Sequence, residues 1–375
     1  MASPKLRFKE FHGDWAKSKL GSQAQFIQGE QVSLDDQFKE YAEGLTKFLR
    51  IENFTQNSKD FRYIEYTGSK EKILTEKDIA IVRYGATAGF ICSGVNGVIA
   101  NNLFKVVVDS ETIDQKYIEL VLKSEKTFNY FQAEMAGGAM PALNFKIVGN
   151  LDITYPPKEE QTKIASFLST VDEKISQLAR KHELLIQYKK GMMQKLFSQQ
   201  MRFKADEGSE FGEWETLKFK DLINIKYGKD HKKLGDGNIP VLGTGGIMRY
   251  VDSYLYDGES ILIGRKGTIN KPQFISGKFW TVDTLFYTEI DKKILPKFAF
   301  QQLLLVNWLN LNEATGVPSL NTSSIGNIEI KVPCLEEQTK IANFLSAIDQ
   351  KIEVVAKQIE QAKQWKKGLL QQMFV

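Results

Sequence analysis

Two arginines stand at matching places in this chain of 375 residues: Arg83 in IAIVRYGATAG and Arg265 in ILIGRKGTIN, each closing an apolar run just before a turn glycine, Gly85 or Gly267. A guanidinium there suits bidentate contact with guanine or phosphate, and the glycine lets another backbone approach closely. Structural ion pairing is the competing role for both. A second basic cluster, KYGKDHKK, places Lys226, Lys229, Lys232 and Lys233 around Tyr227 and His231 between strand-like segments. It reads either as a phosphate-contacting loop or as a solvated turn. Tyr84, Arg249 and Lys266 complete the candidate DNA-contacting set.

Catalytic chemistry finds less support. LGTGGI at Leu242 to Ile247 lacks the GxGxxG spacing of a dinucleotide turn, and GRKGT at Gly264 to Thr268 lacks the spacing of a phosphate-binding GxxxxGK[ST]. Both are expected to be glycine turns. There is no Asn-Pro-Pro-aromatic motif of amino-methyltransferases, and none of His12, His182 and His231 stands beside a Cys or Ser nucleophile. The two cysteines, Cys92 and Cys334, cannot build a disulfide framework, and no HExxH or CxxC spacing suggests a metal. An enzyme with its own nucleotide or methyl-donor site in the globular parts stays as the alternative, with LGTGGI its one hint. A helical scaffold without a DNA role is a third, weaker reading.

Bulk composition agrees with a soluble, modular protein: 42% hydrophobic and 26% charged residues, in a length that suits two or three domains. Fifty basic residues against 46 acidic leave a net charge of +4, so any nucleic-acid surface must be a local patch. MASPKLRFKE lacks an apolar signal core, and no apolar run is long enough to span a membrane; the expected compartment is a reducing cytoplasm.

The elements that hold these residues are written twice. The segment from Pro156, PPKEEQTKIASFL and onward to Phe197, aligns without a gap on PCLEEQTKIANFL from Pro333, with about half the positions identical. Upstream, MPALNFKIVGNLDITY from Met140 matches VPSLNTSSIGNIEIKV from Val317, and NNLF from Asn101 meets DTLF from Asp283. Each half opens on RF followed by FHGDW or FGEW. The EEQTK of EEQTKIA and the Asn and Gly turns lie outside any heptad stripe, so helical degeneracy cannot have produced them. A tandem duplication is the reading.

In the first copy Ile164, Leu168, Val171, Ile175 and Leu178 follow alternating steps of four and three; in the second, Ile341, Leu345, Ile348, Ile352 and Val355 do the same. These are coiled-coil seams, carrying Lys189 and Lys366 farther along. A helix of some 40 residues, about 60 Å long, needs a mate, and the other copy is nearest to hand. The globular parts, with β-branched and aromatic runs such as DIAIVRYG, SILIGRKG and KFWTVDTLFYTEI and helices near Lys116 to Phe131 and Lys297 to Leu311, are α+β. The first is longer, and FIQGEQVSLDDQFKEYAEGLTKFLRIENF has no clear counterpart to KYGKDHKK.

The duplicated layout, the RF openings, the Pro-x-Leu-Asn lead-ins and the EEQ-KIA-FL helices resemble the specificity subunit of type I restriction-modification systems. The resemblance covers essentially the whole chain. It implies an α+β fold of two tandem target-recognition domains, 1–155 and 201–332, each followed by a conserved spacer helix, 156–200 and 333–375. The helices would pair as an antiparallel coiled coil with pseudo-two-fold symmetry. It further implies a non-catalytic subunit that reads a bipartite, asymmetric site on double-stranded DNA and docks two modification (adenine methyltransferase) subunits, with restriction (translocase) subunits in the full complex. This chain would bind no cofactor and no metal; S-adenosylmethionine would belong to the modification subunit, and ATP with Mg to the restriction subunit.

Overall fold

The computed structural model describes residues 4–136 and 142–374. Met1–Ser3, Gly137–Pro141 and Val375 lie outside the described residues, and with them Met140 and Pro141 of the first lead-in. The chain forms two compact units: one holds the residues up to Gln177 and those from Glu360, the other Leu178–Ile359.

The first unit is built from β1 (Ala16–Lys19), β2 (Ala24–Gln28), β3 (Leu45–Leu49), α1 (Ile51–Thr55), β4 (Arg62–Glu65), β5 (Ile73–Leu74), β6 (Ile79–Val82), β7 (Ile91–Cys92), β8 (Gly97–Ile99) and β9 (Leu103–Val108). Then come α2 (Gln115–Leu122), α3 (Glu125–Met135), α4 (Phe145–Gly149), β10 (Asp152–Tyr155) and the long α5 (Lys158–Phe197), whose residues from Leu178 belong to the second unit. In the second the strands repeat this order: β11 (Glu215–Lys218), β12 (Ile223–Tyr227), β13 (Asp236–Gly243), β14 (Gly246–Val251), β15 (Tyr256–Asp257), β16 (Ser260–Gly264), β17 (Gln273–Ile275), β18 (Lys278–Thr281) and β19 (Leu285–Ile290). α6 (Pro296–Leu303), α7 (Thr322–Gly326), β20 (Glu329–Val332) and α8 (Leu335–Met373) follow, the residues of α8 from Glu360 belonging to the first unit.

Strand pairing matches strand for strand. Each unit has one sheet in the order β2-β9-β6-β7, or β12-β19-β16-β17, and a second in the order β4-β3-β8-β5, or β14-β13-β18-β15. In each second sheet one pair, β3 with β8 or β13 with β18, is parallel. The expected helix around Lys116 to Phe131 is two helices, α2 and α3, because Ser124 interrupts it as the N-cap of α3. The one around Lys297 to Leu311 is α6 followed by a 3-10 turn at Trp308–Leu311.

The central strands read as unbroken apolar runs because both faces are covered. In β6, Ile79 and Ile81 enter one core with Phe104, Val106 and Phe131, while Ala80 and Val82 enter another with Leu49 and Leu103. In β16, Ile261 and Ile263 pack with Phe286 and Phe298, and Leu262 packs on the opposite side with Val241 and Phe279. Arg83 and the Gly264-Arg265 step therefore leave strands that cannot slip, since a one-residue shift would exchange their two cores.

The motifs shared by the two copies form a clasp. Glu160 is fully buried and takes a two-pronged bond from Arg7, Nε to Oε1 at 2.8 Å and Nη2 to Oε2 at 2.7 Å. Glu337, equally buried, takes the same from Arg202 at 3.0 and 2.7 Å, and Trp214 Nε1 adds a third bond at 3.0 Å. Gln161 donates to the Pro156 and Thr112 carbonyls and accepts from the Asp114 amide at the start of α2; Gln338 does likewise with Pro333, Lys293 and Leu295 ahead of α6. Phe8 meets Phe167 edge-on, and Phe203 meets Phe344. The RF openings and the EEQ triplets are thus two sides of one contact, made once in each unit.

In each unit a stretch of α5 packs antiparallel to a stretch of α8. Ile164, Leu168 and Val171 share a core with Leu369 and Met373; Met193 and Leu196 share one with Ile341, Leu345 and Ile348. Ile175, Leu178 and Ile352 are half-buried, and Val355 is buried. The seam lysines are paired across the helices: Lys366 Nζ lies 2.5 Å from Asp172, and Lys189 Nζ lies 2.6 Å from Asp349. A polar pair at a fixed seam position selects one register among those an apolar stripe would accept.

Candidate nucleic-acid interface

The two arginines occupy the same backbone cradle. The Arg83 amide donates to the Asn102 carbonyl at 2.8 Å, and its own carbonyl accepts from Leu143 at 2.8 Å. For Arg265 the partners are Thr284 at 2.8 Å and Leu320 at 2.9 Å. Two residues on, Gly85 and Gly267 each adopt φ of 86°, a left-handed turn that favours glycine. The lead-in leucines, Leu143 and Leu320, therefore brace the arginine loops.

What holds each side chain differs. Arg83 Nη1 donates to Gln28 Oε1 at 2.7 Å, and its guanidinium also lies 4.7 Å from the Tyr84 ring. Arg265 lies 5.3 Å from the Tyr227 ring centroid and donates to the Asp283 carbonyl at 3.2 Å. Gln28 and Tyr227 are the last residues of the corresponding strands β2 and β12, and the Gln28 amide donates to Asn101, the counterpart of Asp283. One scaffold thus presents two arginines in two chemical settings.

The loop after each of these strands leaves through a glycine that admits no side chain. A Cβ on Gly29 would stand 2.1 Å from the Ala100 carbonyl oxygen, and one on Gly228 would stand 2.0 Å from that of Val282. This supplies the correspondence that sequence alignment missed: the long 29–44 segment of the first unit takes the place of the 228–235 segment bearing the lysines. Tertiary pairing reveals it because the loops differ in length and share only the glycine.

In the second unit the structure sorts the candidate cations. Lys226 is committed to Glu289 at 3.5 Å, and Arg249 to Asp236 at 2.8 Å and the Leu234 carbonyl at 3.2 Å. The side chains of Lys229, Lys232, Lys233, Arg265 and Lys266, and of Arg83 in the first unit, have no carboxylate oxygen within 4.0 Å among the described residues. The basic loop is fixed by its backbone: Lys229 donates to Thr281 at 2.8 Å, Trp280 Nε1 donates to the Lys229 carbonyl at 2.9 Å, and Lys232 donates to Asp230 at 3.1 Å. That last bond holds the Asp230 carboxyl below the ordinary carboxylate range. His231 is half-buried, and its Nδ1 has no hydrogen-bond partner.

LGTGGI is the tip of the β13–β14 hairpin, with Gly246 at φ of 107°, so the expected glycine turn is what forms. The tip and the loop of lysines line one cleft of about 650 Å³, together with the 282–284 turn that receives Arg265. Sequence reading missed the exposed Ile247, Met248 and Tyr250 of β14, as well as Gln28, Asn101 and Asp283. The NNLF and DTLF match was the one signal that pointed to the last two. No group of residues able to hold a metal ion occurs among the described residues, and no helix there is long and apolar enough to cross a membrane.

Comparison with known proteins bears on what such a surface contacts. A model of the type I restriction modification DNA specificity domain matches residues 12–185 and again 212–364. A specificity subunit of the type I restriction enzyme MjaVIII from Methanocaldococcus jannaschii is 29% identical, across 97% of this chain and 94% of that one. Among solved structures, the S subunit of a type I restriction-modification system from M. genitalium superposes with a TM-score of 0.68 at 19% identity, covering 100% of this chain and 99% of that one. A chain from a structure of type I R-M complex assembly and conformational transition gives 0.54 at 14% identity, over 96% and 97% of the two chains. The last two likenesses support the fold.

Proposed function

Since the chain belongs to the family of type I restriction-modification DNA specificity subunits, we propose that it reads a bipartite DNA site, one half with each unit, and docks two adenine methyltransferase subunits through its helices. The observation that carries this reading is the repeated arginine cradle with different neighbours: a common mount for Arg83 and Arg265, beside Gln28 in one unit and Tyr227 in the other. A common mount suits a common target, duplex DNA; different neighbours suit different half-sites. The target-recognition domains would be 1–155 and 201–332, and the spacer helices 156–200 and 333–375, whose shared sequence suits one kind of partner met twice. The chain itself would be non-catalytic and cofactor-free, working in the cytoplasm of a prokaryote. S-adenosylmethionine would bind the methyltransferase, and ATP with Mg the restriction subunit.

Methylome sequencing of a host with and without this chain tests the reading. The expected result is loss of adenine methylation at a single split motif. An unchanged methylome in a host that retains active partner subunits would overturn it. The rival, an enzyme with its own methyl-donor or nucleotide site, requires the purified chain alone to bind S-adenosylmethionine or ATP stoichiometrically.

A further inference from the structure

The cleft of the second unit has a chemistry that phosphate contact does not use. Its walls come from the basic loop, the tip of the β13–β14 hairpin and the turn before β19, and include Asp230, His231, Thr244, Met248, Val282 and Asp283. Lys232 also lines it, one cation against the two carboxylates of Asp230 and Asp283, so the lining has no positive excess to seat a phosphate. Lys229, Lys233, Arg265 and Lys266, outside that lining, suit the DNA backbone and a guanine instead.

Met248 is 60% exposed and Ile247 56%, on an edge strand, where bare apolar side chains ordinarily invite association. The Met248 thioether folds back over Gly243: a Cβ there would stand 2.8 Å from its Sδ. Glycine at 243 thus makes room for the thioether against the cleft, with Val282 close by. The site offers an apolar surface beside acceptor carboxylates and a half-buried imidazole. In the major groove an A·T pair alone offers the matching set, a methyl on thymine beside the N6 donor and N7 acceptor of adenine.

We propose that this cleft reads an A·T pair of the second half-site from the major groove, with the thymine 5-methyl group against Met248. The proposal rests on the DNA-reading role above and adds the base pair and the residue that senses it.

The test uses the full chain assembled with its methyltransferase partner, on duplexes carrying the motif given by the methylome. Each thymine is replaced in turn by deoxyuridine, which removes only the methyl group. At one thymine the wild type should lose about fourfold in affinity, the value of one buried methyl. Met248→Ala should abolish that sensitivity, and Met248→Leu should keep it. Retained binding of both variants to non-specific DNA reports an intact fold. The proposal is overturned if no replacement affects the wild type, or if the penalty persists undiminished in Met248→Ala. Should the wild-type complex bind all sequences alike, the DNA-reading role fails together with it; sequence preference without uracil sensitivity sinks this assignment alone.

Discussion

Arg265→Ala is the sharpest perturbation the structure offers. The guanidinium is held on the Tyr227 ring and by the Asp283 carbonyl, with no carboxylate to satisfy it among the described residues. Its free donors are therefore presented in one orientation, and little side-chain entropy is lost when a base is engaged. A bidentate arginine-guanine contact is worth about 1–3 kcal/mol of discrimination, so specific affinity should fall roughly 5- to 150-fold. Non-specific binding should change far less, and the slope of log affinity against log salt should stay put. Lys232→Ala is the control: it lies exposed on a loop fixed by its backbone, so its removal should weaken binding to all sequences and lower the salt slope by about 0.9. Fluorescence anisotropy on the specific and a scrambled duplex, at four or five salt concentrations, reads both quantities. If Arg265→Ala weakens both duplexes equally and flattens the slope as Lys232→Ala does, Arg265 contacts phosphate and the base-reading argument is wrong.

Three other expectations concern the frame around this surface. Arg202→Met should destabilise the second unit by about 3–5 kcal/mol, because it strands the buried Glu337 carboxylate, and Arg202→Met with Glu337→Leu should recover much of it; hydrogen exchange of β12 and β19 would report it, and a loss under about 1 kcal/mol, the level of a solvent-screened pair, would contradict the burial argument. Gly228→Ala should leave the helical clasp intact but push β12 off the 281–284 turn and so displace Tyr227 from Arg265; weaker specific DNA binding with unchanged exchange in α8 is expected, and wild-type binding would refute it. Native protein should react with one equivalent of a thiol reagent, at the exposed Cys334, since burial pushes the Cys92 thiol up and seals it; rapid labelling of both cysteines would show that the β6–β7 region opens.

Much of the architecture was legible in the sequence because duplication leaves a record. The EEQ triplets and the RF openings stand out as shared residues that no heptad explains, and in the structure they prove to be the clasp: Arg7 with Glu160, Arg202 with Glu337, and Gln161 and Gln338 tying the starts of α2 and α6. The apolar seams likewise announced paired helices. The candidate surface was less legible. Arg83 and Arg265 could be matched by their glycines, yet nothing in their types told that Gln28 and Tyr227, on strands distant in sequence, would flank them.

The sequence by itself determined the repeat, the α+β units, the helical seams and the absence of a recognisable cofactor motif, since these depend on local pattern and periodicity. Tertiary structure alone decided which cations have a carboxylate within ion-pair reach among the described residues. Lys226 and Arg249 look as available on paper as Lys232 and Arg265, but strand pairing sets Lys226 beside Glu289, and the β13–β14 hairpin brings Arg249 to Asp236. It also made LGTGGI, expected as a glycine turn, part of the wall of a cleft. Charge and exposure are properties of a neighbourhood, and neighbours distant in sequence are chosen by the fold.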